Sequence, residues 1–152
     1  MKALIVNCGI GGQGKSASVK YVYHILDKIY GHTPWCYELL DDKKDIRALF
    51  TIRGVKIGIE SYGDKVDRMG ESMDLFVDEG CGIIVATCRT KSETKEKIKD
   101  LEEHQGYTII WTHSPRTLAK EYQDLFNKEW ARHIVEMIML LVTKEERANG
   151  DA

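Results

Sequence analysis

The first thirty-one residues constrain the fold more than any other part of the chain. Ala3–Val6 is a short continuous apolar run, the pattern of a strand buried on both faces. From Ser16 to Tyr30, Val19, Val22, Tyr23, Leu26 and Ile29 recur on one helical face, and Gly31 stands where a C-terminal cap belongs. Between strand and helix lies Gly9-Ile10-Gly11-Gly12-Gln13-Gly14-Lys15-Ser16. Glycines at these positions let the backbone curl with its N–H groups inward, and the helix N-terminus adds about half a positive charge. Such a loop is built to hold an anion.

The rest of the chain repeats the alternation of strand and helix. Trp35–Leu40 reads as a second strand. Ile46, Ala48, Phe50 and Ile52 alternate with mostly polar neighbours, as do Val55, Ile57 and Ile59, and Arg53-Gly54 joins the two as a hairpin. Val66, Met69, Met73, Phe76 and Val77 restore the helical period, which Gly80 ends. Ile83–Ala86 reads as a central strand, Ser92–Glu103 as an outer helix anchored by Ile98 and Leu101, and Tyr107–Trp111 as a further strand. Ser114-Pro115 pairs an N-cap residue with a first-turn proline, which predicts a helix start. Asn127–Arg147 contains no breaker and reads as the long C-terminal helix. This order predicts a three-layer α/β/α sandwich with a mainly parallel sheet and one antiparallel hairpin strand. Ligands of such sheets bind at the carboxyl ends of the strands.

No linker or repeat divides the 152 residues, so residues 1–143 read as one domain and 144–152 as a frayed polar tail. The net charge of −2 leaves no basic footprint for nucleic acid or an anionic membrane. No apolar run reaches the roughly 18 residues of a membrane span. Cys8, Cys36, Cys81 and Cys88 show no metal-ligand spacing, and without a secretion signal a reducing cytoplasm is the expected setting.

Gly9 to Ser16 fits G-x-x-x-x-G-K-[ST] at every fixed position, a match that a random chain of this length makes roughly half a percent of the time. The segment resembles the Walker A motif of P-loop NTPases over about residues 1–31. The resemblance implies a P-loop NTPase-like fold. It also implies a site for ATP or another nucleoside triphosphate on Gly9, Gly11, Gly12, Gln13, Gly14, Lys15, Ser16 and Ala17. By the same resemblance Lys15 would bridge the β- and γ-phosphates and the Ser16 hydroxyl would hold Mg²⁺. P-loop proteins also place an acidic residue at the end of a strand beside the first. Here Glu60 ends the predicted hairpin and Asp64 follows Gly63. Glu60-x-x-Gly63 looks like the D-x-x-G element of small GTPases, with Glu for Asp, and Asp64 lies where a water-positioning residue would sit. Either carboxylate is a candidate metal ligand. Trp111-Thr112-His113-Ser114-Pro115 replaces the N-K-x-D of guanine readers, so guanine has no support.

Arg89 follows the central strand and is a candidate for a phosphate or an acceptor substrate; it also adjoins a capping box, Thr90-x-x-Glu93. The resemblance implies that an acceptor would lie near Arg68 or Arg89 and that Arg116, after the last strand, stands where adenine-proximal loops lie in several P-loop families; His113 reads as a loop residue. In the last helix, Trp130, Ile134, Val135, Ile138, Leu141 and Val142 form an apolar face, suited to the core or to a homodimer interface. Three functions fit: Mg²⁺-dependent NTP hydrolysis, phosphoryl transfer to a small-molecule acceptor or nucleotide, or nucleotide binding without turnover. Lys15, Asp64 and Arg89 are the candidate catalytic residues for the first two.

Overall fold

The computed structural model describes residues 1–9, 15–31, 38–39, 45–62, 66–89 and 93–150. Their elements run β1 (Ala3–Gly9), α1 (Lys15–Tyr30), β2 (Glu38–Leu39), β3 (Ile46–Ile52), β4 (Val55–Glu60), α2 (Val66–Asp78), β5 (Ile83–Arg89), α3 (Glu93–Gln105), β6 (Thr108–Thr112) and α4 (Lys120–Gly150). The strands form one sheet in the order β2-β3-β4-β5-β1-β6. β1 pairs parallel with β5 and β6, and β4 parallel with β5. β3 runs antiparallel to β4, and β2 antiparallel to β3. The mainly parallel sheet with an antiparallel hairpin strand matches the expectation from sequence. Of the predicted strand Trp35–Leu40, only Glu38–Leu39 lies among the described residues.

Both faces of the sheet are covered, which explains why the central strands read as unbroken apolar runs. Leu4, Val6, Ile84 and Ala86 face one way and pack with Met69, Met73 and Phe76 of α2 and Ile98 and Leu101 of α3. Ile5, Ile57, Ile59, Ile83 and Val85 face the other way, against Val19, Val22 and Leu26 of α1 and Trp130, Ile134 and Ile138 of α4. Successive residues of a strand point to opposite faces, so one short run feeds two cores. The result is three layers: α1 and α4, the sheet, then α2 and α3. Gly58 sets the spacing on the α2 side, because a Cβ there would lie 2.5 Å from Cγ of Phe76.

The glycine punctuation holds. Arg53 and Gly54 have φ of 50° and 80°, the left-handed pair of a two-residue hairpin turn. Gly80 closes α2, its N–H donating to the Val77 carbonyl at 3.0 Å while the Cys81 N–H donates to Phe76 at 2.9 Å.

One expectation at the C-terminal end is corrected. Ser114-Pro115 starts no helix: residues 113–119 are non-helical and α4 begins at Lys120. Ser114 is held instead by Asn7 of β1, whose Nδ2 donates to Ser114 Oγ at 3.2 Å and whose Oδ1 accepts from Ser114 N at 3.1 Å. Just before α4, Thr117 Oγ1 accepts from Ala119 N at 3.2 Å in a side-chain turn, and the Ala119 carbonyl takes the first helical N–H, from Gln123 at 3.0 Å. α4 continues past Lys144 to Gly150. Glu145 there pairs with the N-terminal ammonium and Glu146 with Arg53. Trp130, Ala131, Ile134, Ile138 and Val142 of α4 are core residues, whereas Leu140 is exposed.

Candidate functional site

Because β1, β4, β5 and β6 run the same way, their carboxyl ends meet at one edge of the sheet, where α1 begins. Gly9, the first glycine of the loop, stands in register with Arg89 at the end of β5. Residues 10–14 lie outside the described residues, so Gly11, Gly12, Gln13 and Gly14 are not placed; Asp64 and Thr90 lie outside them too. Gly9, Lys15, Ser16, Ala17, Glu60 and Arg89 are placed.

Lys15 opens α1 and is only 4% exposed. Its stem runs past Gly9, where a Cβ would lie 3.7 Å from Lys15 Cδ, and its Nζ donates to the Cys88 carbonyl over a long 3.4 Å. The ammonium therefore sits between the ends of β1 and β5. Burying a cation is costly unless an anion compensates, and this one is held at the mouth of a helix N-terminus that itself favours anions.

Ser16 donates from Oγ to the Ser61 carbonyl at 3.0 Å. A hydroxyl that gives its proton away in this manner keeps its lone pairs for another partner. Ser61 is itself fixed to β3: its N–H donates to the Ile46 carbonyl at 3.1 Å, and its Oγ accepts from Ile46 N at 2.9 Å and donates to Asp45 Oδ1 at 3.0 Å.

Glu60, at the end of β4, is fully buried rather than a solvated loop carboxylate. Oε2 accepts from Tyr62 N at 2.8 Å, while Oε1 has no hydrogen-bond partner. Arg47 stands opposite in register, but its guanidinium donates to Ser72 Oγ at 2.8 Å and to the Arg68 carbonyl at 3.3 Å, and pairs with Glu71. Burial pushes the Glu60 carboxyl up to about 8; the Tyr62 and Thr87 amides oppose that rise, and the Asp45 charge adds to it. A buried carboxylate oxygen without a donor costs on the order of 1–3 kcal/mol, a cost that a proton or a cation removes.

One topological expectation is corrected. β4 does not lie beside β1; β5 intervenes. Glu60 therefore ends a strand one removed from the glycine loop, which differs from the small-GTPase-like placement, although Ser61 still touches α1 through Ser16.

Arg89 is exposed at the rim, and its N–H donates to Thr94 Oγ1 at 3.2 Å, so α3 holds the end of β5. Arg68 lies in the first turn of α2, and Arg116 is exposed in the segment after β6. His113 Nδ1 meets the Cys8 carbonyl at 2.9 Å, a strap between β6 and β1. Cys8 and Cys88 are register neighbours with sulfurs 3.1 Å apart, both buried. Burial, then Cys8, pushes the Cys88 thiol above its ordinary range, which makes it a poor nucleophile.

The sequence reading missed Asp45 and Ser61. Asp45 closes a polar run, Asp41-Asp42-Lys43-Lys44-Asp45, that resembles a solvated loop. The hairpin register was the available signal: counting back from Arg53-Gly54 sets Arg47 opposite Glu60 and carries Asp45 just beyond the end of β4. Among the described residues, no group of three or more His, Cys, Asp or Glu side chains converges, and no helix is long and apolar enough to cross a membrane. Comparison with protein-family models, with curated proteins and with solved structures gives no match.

Proposed function

We propose that the carboxyl edge of the sheet binds the phosphates of ATP or another nucleoside triphosphate with Mg²⁺, as a P-loop NTPase-like domain does, and that the protein hydrolyses the nucleotide. The observation that carries the reading is the setting of Lys15 and Ser16. Both open a 16-residue helix directly downstream of a buried strand, and Lys15 is buried between two strand ends rather than free in solvent. The glycine pattern of residues 9–14 would supply inward N–H groups, to which Lys15 adds its charge and α1 its dipole.

The residues also suit a divalent cation. Ser16 has its proton engaged by Ser61, and Glu60 keeps a buried oxygen without a donor. Mg²⁺ takes few protein ligands and completes its shell with water and phosphate oxygens. Ser16 and Glu60, with Asp64 as the alternative acid, would hold it, and the ion would offset charge on the phosphates. Arg89, in register with Gly9, is the cation best placed for a terminal phosphate. The alternatives are phosphoryl transfer to a small-molecule acceptor or nucleotide, and binding without turnover.

The test is calorimetric binding of Mg·ATP to wild type and Lys15→Ala, followed by ADP release with and without a panel of nucleoside monophosphates. Wild-type binding that Lys15→Ala loses, with slow acceptor-independent turnover, supports the reading. Acceptor-dependent ADP selects the transferase, and binding without ADP selects the non-catalytic module. Equal affinity in a folded Lys15→Ala protein would falsify the phosphate site.

A further inference from the structure

The structure brings a second acidic side chain, beside Glu60, to this edge. Asp45 precedes β3, the antiparallel strand, and so arrives at the carboxyl end of β4 from the opposite chain direction. Its Oδ1 accepts from Ser61 Oγ at 3.0 Å, and the carbonyl of that same Ser61 accepts from Ser16 Oγ at 3.0 Å. Asp45 is thus one residue removed from the hydroxyl that opens α1. By the hairpin register it lies two residues beyond Arg47, the pairing partner of Glu60. Glu60 is wholly buried and keeps Oε1 without a hydrogen-bond partner, whereas Asp45 is partly exposed. Two carboxylates and a hydroxyl therefore share one strand end, and one buried carboxylate oxygen there has no donor. A divalent cation would engage the unpartnered oxygen, and a water-retaining ion such as Mg²⁺ needs no more protein ligands than these.

We propose that Asp45 carries the exposed negative charge of this cation site, holding the nucleotide's divalent ion directly or through one water alongside Ser16. The inference rests on the nucleotide reading above and extends it to a residue outside the glycine-loop pattern. Asp45 faces the ion from β3, Glu60 backs it from β4, and Ser61 ties both strands to α1. The carboxylate is needed for its charge, since an amide at the same position would still accept the Ser61 proton.

Calorimetry separates these roles. ATP affinity is measured in Mg²⁺ and in EDTA for wild type, Asp45→Asn and Lys15→Ala, and the ratio of the two affinities reads the cation's contribution. Asp45→Asn is expected to lower that ratio by about 10-fold or more while leaving affinity in EDTA unchanged; Asp45→Glu should restore part of it. A ratio in Asp45→Asn equal to wild type overturns the assignment while the nucleotide reading stands. Wild type that binds no ATP, or Lys15→Ala that binds as wild type does, overturns both. A second measurement uses the unmutated chain: Fe²⁺ with ATP and peroxide should cut the backbone near residues 45 and 60–62. Cuts elsewhere, with none at residue 45, also overturn it.

Discussion

The two ends of the sheet treat charge in opposite ways. At the amino ends of the parallel strands lie three at least partly exposed ion pairs: Lys56 with Glu79, Arg53 with Glu146, and the N-terminal ammonium with Glu145. At the carboxyl ends, Lys15 and Glu60 are buried, along with Asn7, Ser61 and Thr87. Exposed pairs contribute about 0–1 kcal/mol each and serve solubility. Buried ions oppose folding unless something compensates. The collection of such groups at one end, where a helix N-terminus also favours an anion, is what supports the site proposed there.

The largest expected effect on stability lies at Glu60. The folded chain holds the Glu60 proton up to about pH 8, against 4.5 for the ordinary side chain. Between those values the folded state binds more protons than the unfolded one, so stability falls as pH rises through the window. Glu60→Gln removes this loss. In urea titrations of the metal-free protein, the variant should gain on wild type from pH 5 to pH 8, on the order of 3–5 kcal/mol at the top. A pH-independent difference would remove the contrast between the two ends.

Arg89 comes next. A charge-assisted contact to phosphate is worth about 1.5–3 kcal/mol, so Arg89→Ala should cost about 10- to 150-fold. The loss falls in turnover alone if Arg89 acts on the transition state and in ATP affinity if it holds the ground state. Changes within about twofold in both would remove the Arg89 side chain from the site, leaving only its backbone amide, which Thr94 holds in either variant.

Gly58→Ala sets the scale for a packing defect away from either end. The added methyl meets the Phe76 ring, and a loss of about 1–3 kcal/mol is expected in urea unfolding, with ATP affinity intact. The smallest effect belongs to the amino end: Lys56→Ala and Glu79→Ala should each move stability by no more than about 0.5 kcal/mol.

Much of this fold was legible because glycine marks it. Gly31, Gly54 and Gly80 stop or turn the chain where their positive φ requires, and the apolar periods name the elements between them. Strand order was not legible. Ala3–Val6 and Ile83–Ala86 are alike as apolar runs, and nothing local says that β5 inserts between β1 and β4. Ser114 misled for a similar reason: its capping chemistry is real, but Asn7, more than a hundred residues away, engages the same atoms. Around the candidate site, the position of Lys15 and Ser16 at the head of α1 was legible from spacing, while Asp45 was hidden in a charged run and becomes visible only through the hairpin register.

The central claim is that the carboxyl edge alone receives the nucleotide. Backbone amide NMR shifts on adding Mg·ATP test it most directly. The account expects the large shifts at Gly9, Lys15, Ser16, Ser61 and Arg89, with Arg53, Gly54, Glu79 and Gly80 unmoved. Saturable binding with shifts centred on the Arg53-Gly54 end, or no shifts at Lys15 and Ser16, would contradict it.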